Sequence, residues 1–126
     1  CDFTRTFVFG KMNEEQKKVF TVVKRAKNIG IENAINKNSC KNIDMAVRKI
    51  IEENNLGNYF VHATGHGLGY DVHLYPRISS ASQQVIKNNF IITIEPGVYI
   101  PGSFGVRFED DILIKNNSPI NLTKFN

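Results

Sequence analysis

Every histidine in the sequence falls in one short stretch, as His62, His66 and His73. Imidazole is the side chain suited to bind a metal or move a proton near neutral pH, so this clustering points first to chemistry. The stretch reads His62-Ala63-Thr64-Gly65-His66-Gly67-Leu68-Gly69. The spacing of His62 and His66 would align them on one helix face, as in helical zinc motifs. Gly65, Gly67 and Gly69 oppose a helix there, since each costs about 1 kcal/mol relative to alanine. No glutamate follows His62, so the zinc-protease motif fails. The glycine spacing is also wrong for a dinucleotide fingerprint. What these glycines permit is close backbone approach to a ligand on either side of His66.

Carboxylates form the second candidate set. Glu95 ends the apolar run Ile91-Ile92-Thr93-Ile94 and directly precedes Pro96-Gly97. Burying it there is costly unless a cation or metal accompanies it. Glu109, Asp110 and Asp111 stand together between Val106-Arg107-Phe108 and Ile112-Leu113-Ile114. Strand alternation sends Glu109 and Asp111 to one face and Asp110 to the other. Taken alone, Asp110 and Asp111 read as ordinary turn acids. Asp2 is a further carboxylate at a strand terminus. Carboxylates converging with one imidazole make a divalent-metal site, better suited to manganese, iron, cobalt or zinc than to calcium. Such a site polarises a carbonyl and activates water, which is hydrolase chemistry.

These residues need elements to position them. Phe3 to Phe9 alternates and is rich in aromatic and β-branched residues, which predicts a strand ending at Gly10. Asn13 followed by Glu14, Glu15 and Gln16 predicts a helix start, and Val19, Val22, Val23, Ala26 and Ile29 carry that helix to about Ala34. Ser39 predicts the cap of a second helix, with Ile43, Ala46, Val47, Ile50 and Ile51 as its apolar stripe, ending near Asn54. Both helices read as packing elements without chemistry of their own. After Gly57 short β-rich runs take over: Phe90 to Ile94, Val98 to Ile100, Phe104 to Phe108 and Asp111 to Ile114. The expectation is a single α+β domain over residues 1–126, its antiparallel strands packed by two helices.

Composition narrows the function classes. The formal charge is +4, but the basic residues interleave with acids on the two helices and few aromatics accompany them. That pattern suits a solvated helix face and not a nucleic-acid surface. No apolar run approaches the roughly 18 residues a membrane span needs. The two cysteines, Cys1 and Cys40, make no disulfide framework, which fits a reduced, cytoplasmic setting.

Five blocks, in order, resemble the signatures of the pita-bread metallopeptidases. They are Asp2-Phe3-Thr4-Arg5-Thr6-Phe7, His62 through Gly69, His73-Leu74-Tyr75-Pro76, Thr93-Ile94-Glu95-Pro96-Gly97 and Val106-Arg107-Phe108-Glu109-Asp110-Asp111. That family includes Xaa-Pro aminopeptidases, prolidases, creatinases and methionine aminopeptidases. The resemblance implies the C-terminal half of a pita-bread fold, with a curved antiparallel sheet. It implies two divalent metal ions, manganese foremost, with cobalt, zinc or iron as the other options. Asp2, His66, Glu95 and Glu109 match the metal ligands, with Asp2 and Glu109 as the bridging pair. His62 and His73 match histidines that contact substrate or move protons, Glu95 matches a proton shuttle, and Arg107 matches an arginine supporting the carboxylates.

The Thr-Arg-Thr and Glu-Asp-Asp runs are most similar to the Xaa-Pro-cleaving branch. The resemblance therefore implies an aminopeptidase that cuts between an N-terminal residue and proline by a metal-bound hydroxide. Its substrates would be peptides with proline in second position, and the full-length protein would be a homodimer, with no nucleic-acid or membrane partner. The family's first aspartate and its N-terminal half lie outside this chain, so the chain alone is expected to be inactive, with one metal position incomplete. His73 is followed by Leu74 where the family usually has glutamate. The alternatives are a prolidase acting on Xaa-Pro dipeptides and a non-catalytic pita-bread binding module. Binding modules lose metal ligands, whereas every family ligand position covered here is filled.

Overall fold

The first helix begins where a side chain can stand in for a missing helical partner. The Gln16 amide donates to Asn13 Oδ1 (2.8 Å) and the Asn13 amide donates to Gln16 Oε1 (3.0 Å), a reciprocal cap. From there α1 runs Glu14–Asn33 and buries Val19, Val22, Val23 and Ala26. Ser39 caps α2, Cys40–Glu52, by accepting the Asn42 amide (3.0 Å). Both starts and both apolar stripes are those expected from the sequence. The computed structural model describes residues 1–124.

After a 3-10 turn at Gly57–Tyr59 the described residues form seven short strands: β1 Gly65–Gly67, β2 Leu74–Ile78, β3 Ile91–Ile94, β4 Gly97–Ile100, β5 Phe104–Arg107, β6 Asp110–Lys115 and β7 Ser118–Asn121. Five pair antiparallel in the order β2-β1-β3-β6-β7, and β4 and β5 form a separate hairpin. Pro76 and Pro119 sit on the two outermost strands, where a missing amide donor is tolerated.

In β3 and β6, Ile92, Ile94, Ile112 and Ile114 point to one face and pack with Ile43 of α2, Ile78 and Ile86. A second cluster joins Val19, Val23 and Ala26 of α1, Val47 and Ile51 of α2, and Val98, Val106 and Phe108 of the hairpin region. The helices thus cover one face of the sheet. Alternation turns Thr93 and its cross-strand partner Asp111 to the opposite face. Among the described residues no helix is long and apolar enough to cross a membrane.

Gly30 lies where α1 meets α2 and β3. A Cβ there would stand 2.7 Å from Ile94 Cγ2 and 2.8 Å from Val47 Cγ2, and both of those side chains are fully buried. Alanine improves helix propensity by about 1 kcal/mol, but overpacking a core costs about 1–3 kcal/mol. Gly30→Ala is therefore expected to lower the melting midpoint; a raised midpoint would show slack at this crossing.

Two expectations need correction. The run from Phe3 to Phe9 forms no strand among the described residues, only a bridge between Thr4 and Glu109. Phe7 and Phe9 are exposed. Thr6 Oγ1 donates to the Arg107 carbonyl (2.9 Å) and accepts the Arg107 amide (3.1 Å), so a side chain occupies groups that a ladder would have paired. The second correction concerns Asp110 and Asp111, which are buried and not surface turn acids. Asp110 faces the helices, where Lys27 of α1 and Arg5 hold it.

Candidate active site

His66 stands at the centre of β1, 8% exposed. Its Nδ1 lies 3.0 Å from the Gly67 carbonyl, which can only accept, so Nδ1 donates there and Nε2 is the ring nitrogen turned to the carboxylates. That Nε2 is 3.3 Å from Glu95 Oε1 and 3.8 Å from Asp2 Oδ2. The glycines on either side serve the sheet. A Cβ on Gly65 would meet the Thr93 carbonyl oxygen at 1.9 Å, and one on Gly67 the Tyr75 carbonyl oxygen at 2.2 Å. At Gly65 and Gly67 neighbouring strands thus make a close approach to the backbone on either side of His66.

Thr93 on β3 couples two of the candidate residues. Its hydroxyl accepts the His66 amide (3.1 Å) and lies 3.4 Å from Glu95 Oε1. Glu95 follows β3 directly, where the chain breaks from the sheet toward the hairpin. Glu109 precedes β6, and its Oε2 accepts the Thr4 hydroxyl (2.5 Å). Asp2, His66 and Glu109 each offer an atom within 4.8 Å of the other two. Asp111 shares that face: its Oδ2 accepts the Asp2 amide (3.1 Å).

The electrostatics of this group favour a cation. Burial, then the Glu109 charge, pushes the Glu95 carboxyl up to about 7. Burial also raises Glu109 and Asp111, and Asp2 adds to the repulsion on each. Asp111 Oδ1 is buried with no hydrogen-bond partner among the described residues. Crowded carboxylates, an orphaned carboxylate oxygen and one imidazole lone pair suit a divalent ion of the manganese-to-zinc series. The residues present fit such an ion.

His62 and Arg107 flank this group from another side. His62 Nδ1 lies 2.8 Å from the Ala63 carbonyl and therefore donates to it, leaving Nε2 to accept the Tyr99 hydroxyl (2.8 Å). Burial, with Arg107 and Arg48 nearby, pulls the His62 pKa below its ordinary value, so the ring stays neutral. Arg107 also hydrogen-bonds Tyr99. Its Nε donates to Thr4 Oγ1 (3.0 Å), so it reaches Glu109 through that hydroxyl. The His73 ring packs edge-on against His66, with centroids 4.5 Å apart.

His62, His66, His73, Arg77, Glu95 and Arg107 line one open cleft of about 610 Å³, and His66 and Glu95 join it to Asp2 and Glu109. The structure brings together every candidate site residue named from the sequence: Asp2, His62, His66, His73, Glu95, Arg107 and Glu109. Sequence reasoning missed Tyr99, Arg77 and Asp111. It also missed Asp44, a fully buried acid inside the apolar stripe of α2, whose place in that stripe was itself a signal.

The profile of metallopeptidase family M24 matches residues 1–116. The chain is 44% identical over 123 residues to a Xaa-Pro dipeptidase of Pyrococcus furiosus, covering 98% of this chain and 35% of that protein. The solved prolidase of Pyrococcus furiosus superposes with a TM-score of 0.96 at 43% identity, over 98% of this chain and 37% of that one. A Thermotoga maritima X-Pro aminopeptidase superposes at 0.95 with 33% identity, over 100% of this chain and 36% of that one. The chain thus spans about a third of the length of the curated relatives it matches. With two helices on an antiparallel sheet laid out as in the prolidases, it belongs to the M24 metallopeptidases and has part of their α+β pita-bread fold.

Proposed function

We propose that the protein hydrolyses the peptide bond preceding proline, with divalent metal, manganese by family resemblance, held by Asp2, His66, Glu95 and Glu109. The observation that carries this reading is the convergence of Asp2, His66 and Glu109 at one point beside a histidine-lined cleft. The family relationship and the Xaa-Pro peptidases among the relatives support the substrate class. A divalent ion bound there supplies Lewis-acid polarisation of a carbonyl and activation of water at neutral pH.

The chain's own groups do the rest. Glu95 takes, at a carboxylate oxygen, the proton that the attacking water gives up and passes it to the leaving amine. His62, neutral and fixed as the Nδ1–H form, orients the peptide from one wall of the cleft. His73 does so from the wall next to His66. Arg107 keeps Thr4 turned to Glu109 and Tyr99 turned to His62.

Substrate length follows from Arg77. Arg77 is exposed, lines the cleft and makes no ion pair among the described residues. A Xaa-Pro dipeptide carries a carboxylate one residue beyond the scissile bond, whereas a longer peptide presents a neutral amide there. Arg77 is the cation that meets this carboxylate, which favours a dipeptidase over the aminopeptidase expected from sequence. A charge-assisted hydrogen bond is worth about 1.5–3 kcal/mol. Arg77→Met in the intact manganese-loaded protein should therefore raise KM for Ala-Pro by roughly tenfold to a hundredfold, and Ala-Pro-Ala should be a poor substrate. Equal cleavage of the tripeptide, with Arg77→Met indifferent, establishes the aminopeptidase instead. Cleavage of neither substrate ends the hydrolase reading.

A further inference from the structure

Residues 60–64 carry His62 into β1, yet they form neither helix nor strand. Their polar backbone groups need partners from elsewhere. Thr64 bonds the backbone of Ile78 (2.9 Å) and Glu95 (2.7 Å), and helix α2 supplies further partners from two positions one turn apart. Asp44, fully buried, accepts the Thr64 hydroxyl (2.7 Å) and the Thr64 amide (3.3 Å). Its other oxygen accepts Arg48 Nε (2.7 Å). Thus anchored, the Arg48 fork donates to the His62 carbonyl (2.6 Å) and the Phe60 carbonyl (3.2 Å).

The same guanidinium lies 4.4 Å from the centroid of the Phe60 ring. Phe60 in turn packs edge-on against the His62 imidazole, with centroids 5.0 Å apart. Arg48 therefore touches the backbone of His62, the backbone two residues before it, and the aromatic surface against which its ring rests. A planar five-donor group is suited to this, and an ammonium is not.

We propose that Arg48, anchored by Asp44, is a positioning residue for His62, setting the orientation of the imidazole in the cleft. Its catalytic consequence rests on the Xaa-Pro hydrolysis reading; its effect on the ring does not. The plain alternative is that the Asp44–Arg48 pair only ties α2 to the sheet.

The test compares wild type, Arg48→Met and Arg48→Lys in the intact protein with isotope-labelled histidine. Long-range proton–nitrogen spectra separate Nδ1–H from Nε2–H imidazole, and the signal lost in His62→Gln identifies the residue. Wild type should show His62 as the Nδ1–H form. Arg48→Met should mix the two forms and lower kcat for Ala-Pro by roughly tenfold to a hundredfold, with KM little changed. Arg48→Lys keeps the charge without the fork and should restore neither property in full. Melting midpoints taken on each variant separate misplacement from unfolding, and if Arg48→Met does not fold, Arg48→Lys decides alone. An unchanged His62 spectrum and unchanged kcat, with only a lower midpoint, would overturn the proposal. If wild type cleaves no Xaa-Pro dipeptide, the hydrolase reading falls while the spectra still decide the positioning.

Discussion

His66→Ala is expected to weaken manganese binding by at least about a hundredfold, because residues that merely orient ligands already contribute up to that much. His66 supplies the one nitrogen among the gathered donors, with Nδ1 committed to the Gly67 carbonyl and Nε2 turned toward Asp2 and Glu95. Removing it leaves Asp2, Glu95 and Glu109 as a crowded anionic group that still attracts cations but lacks the neutral ligand that fits a transition-metal ion. Calorimetric titration of manganese into the intact wild-type and variant proteins measures the loss directly. Cleavage of Ala-Pro at fixed low manganese should fall in parallel and recover in part at high manganese. His66 lies between strands, so thermal unfolding in chelator must first show that the apo variant is folded. Undiminished binding by a folded variant would remove His66 from the ligand set and the proposed mechanism with it.

The second large effect concerns stability. Asp110→Ala should destabilise the protein by about 3–5 kcal/mol, the range for removing one partner of a buried ion pair. Asp110 is fully buried at the start of β6, where Lys27 of α1 and Arg5 (2.5 Å) both contact its carboxylate and the Thr123 hydroxyl donates to it (2.9 Å). Burial by itself raises this carboxyl, but the hydrogen bonds from Lys27 and Arg5 outweigh that and hold it below its ordinary value. Alanine leaves the Lys27 ammonium, itself mostly buried, without its counter-charge. Combining Asp110→Ala with Lys27→Met should recover part of the loss, because the stranded charge is then gone. Urea unfolding of the single and double variants checks both statements. A single-variant loss below about 1 kcal/mol, typical of exposed pairs, would mean water reaches this cluster.

Asp110 also shows where reading the sequence stops. Alternation correctly separates it from Glu109 and Asp111, because a side-chain period of two is a property of the strand itself. Its burial was not legible. The groups that make burial tolerable, Arg5 and Lys27, stand 105 and 83 positions away. The same holds for Phe3 to Phe9. It is rich in aromatic and β-branched residues, but whether such a run joins a ladder depends on what lies beside it, and here Thr4, Arg5 and Thr6 spend their side chains on Glu109, Asp110 and Arg107.

Local interactions were legible wherever they are self-contained. The Asn13–Gln16 cap and the Ser39 cap close within three residues, and each helix's apolar stripe follows from 3.6-residue geometry. The residue types of the metal-site candidates were legible too, while their assignment as ligands rests on the family resemblance. The sequence by itself thus determined the helices, the strand alternation and the residue types available for chemistry. Only the tertiary structure decided that Gly65 and Gly67 make room for neighbouring strands, that Arg77 borders the cleft, and that α2 reaches His62 through Asp44 and Arg48. Helix capping and periodicity are set by neighbours along the chain, whereas these contacts exist only after distant segments have packed, when a buried polar group takes whatever partner the fold brings to it.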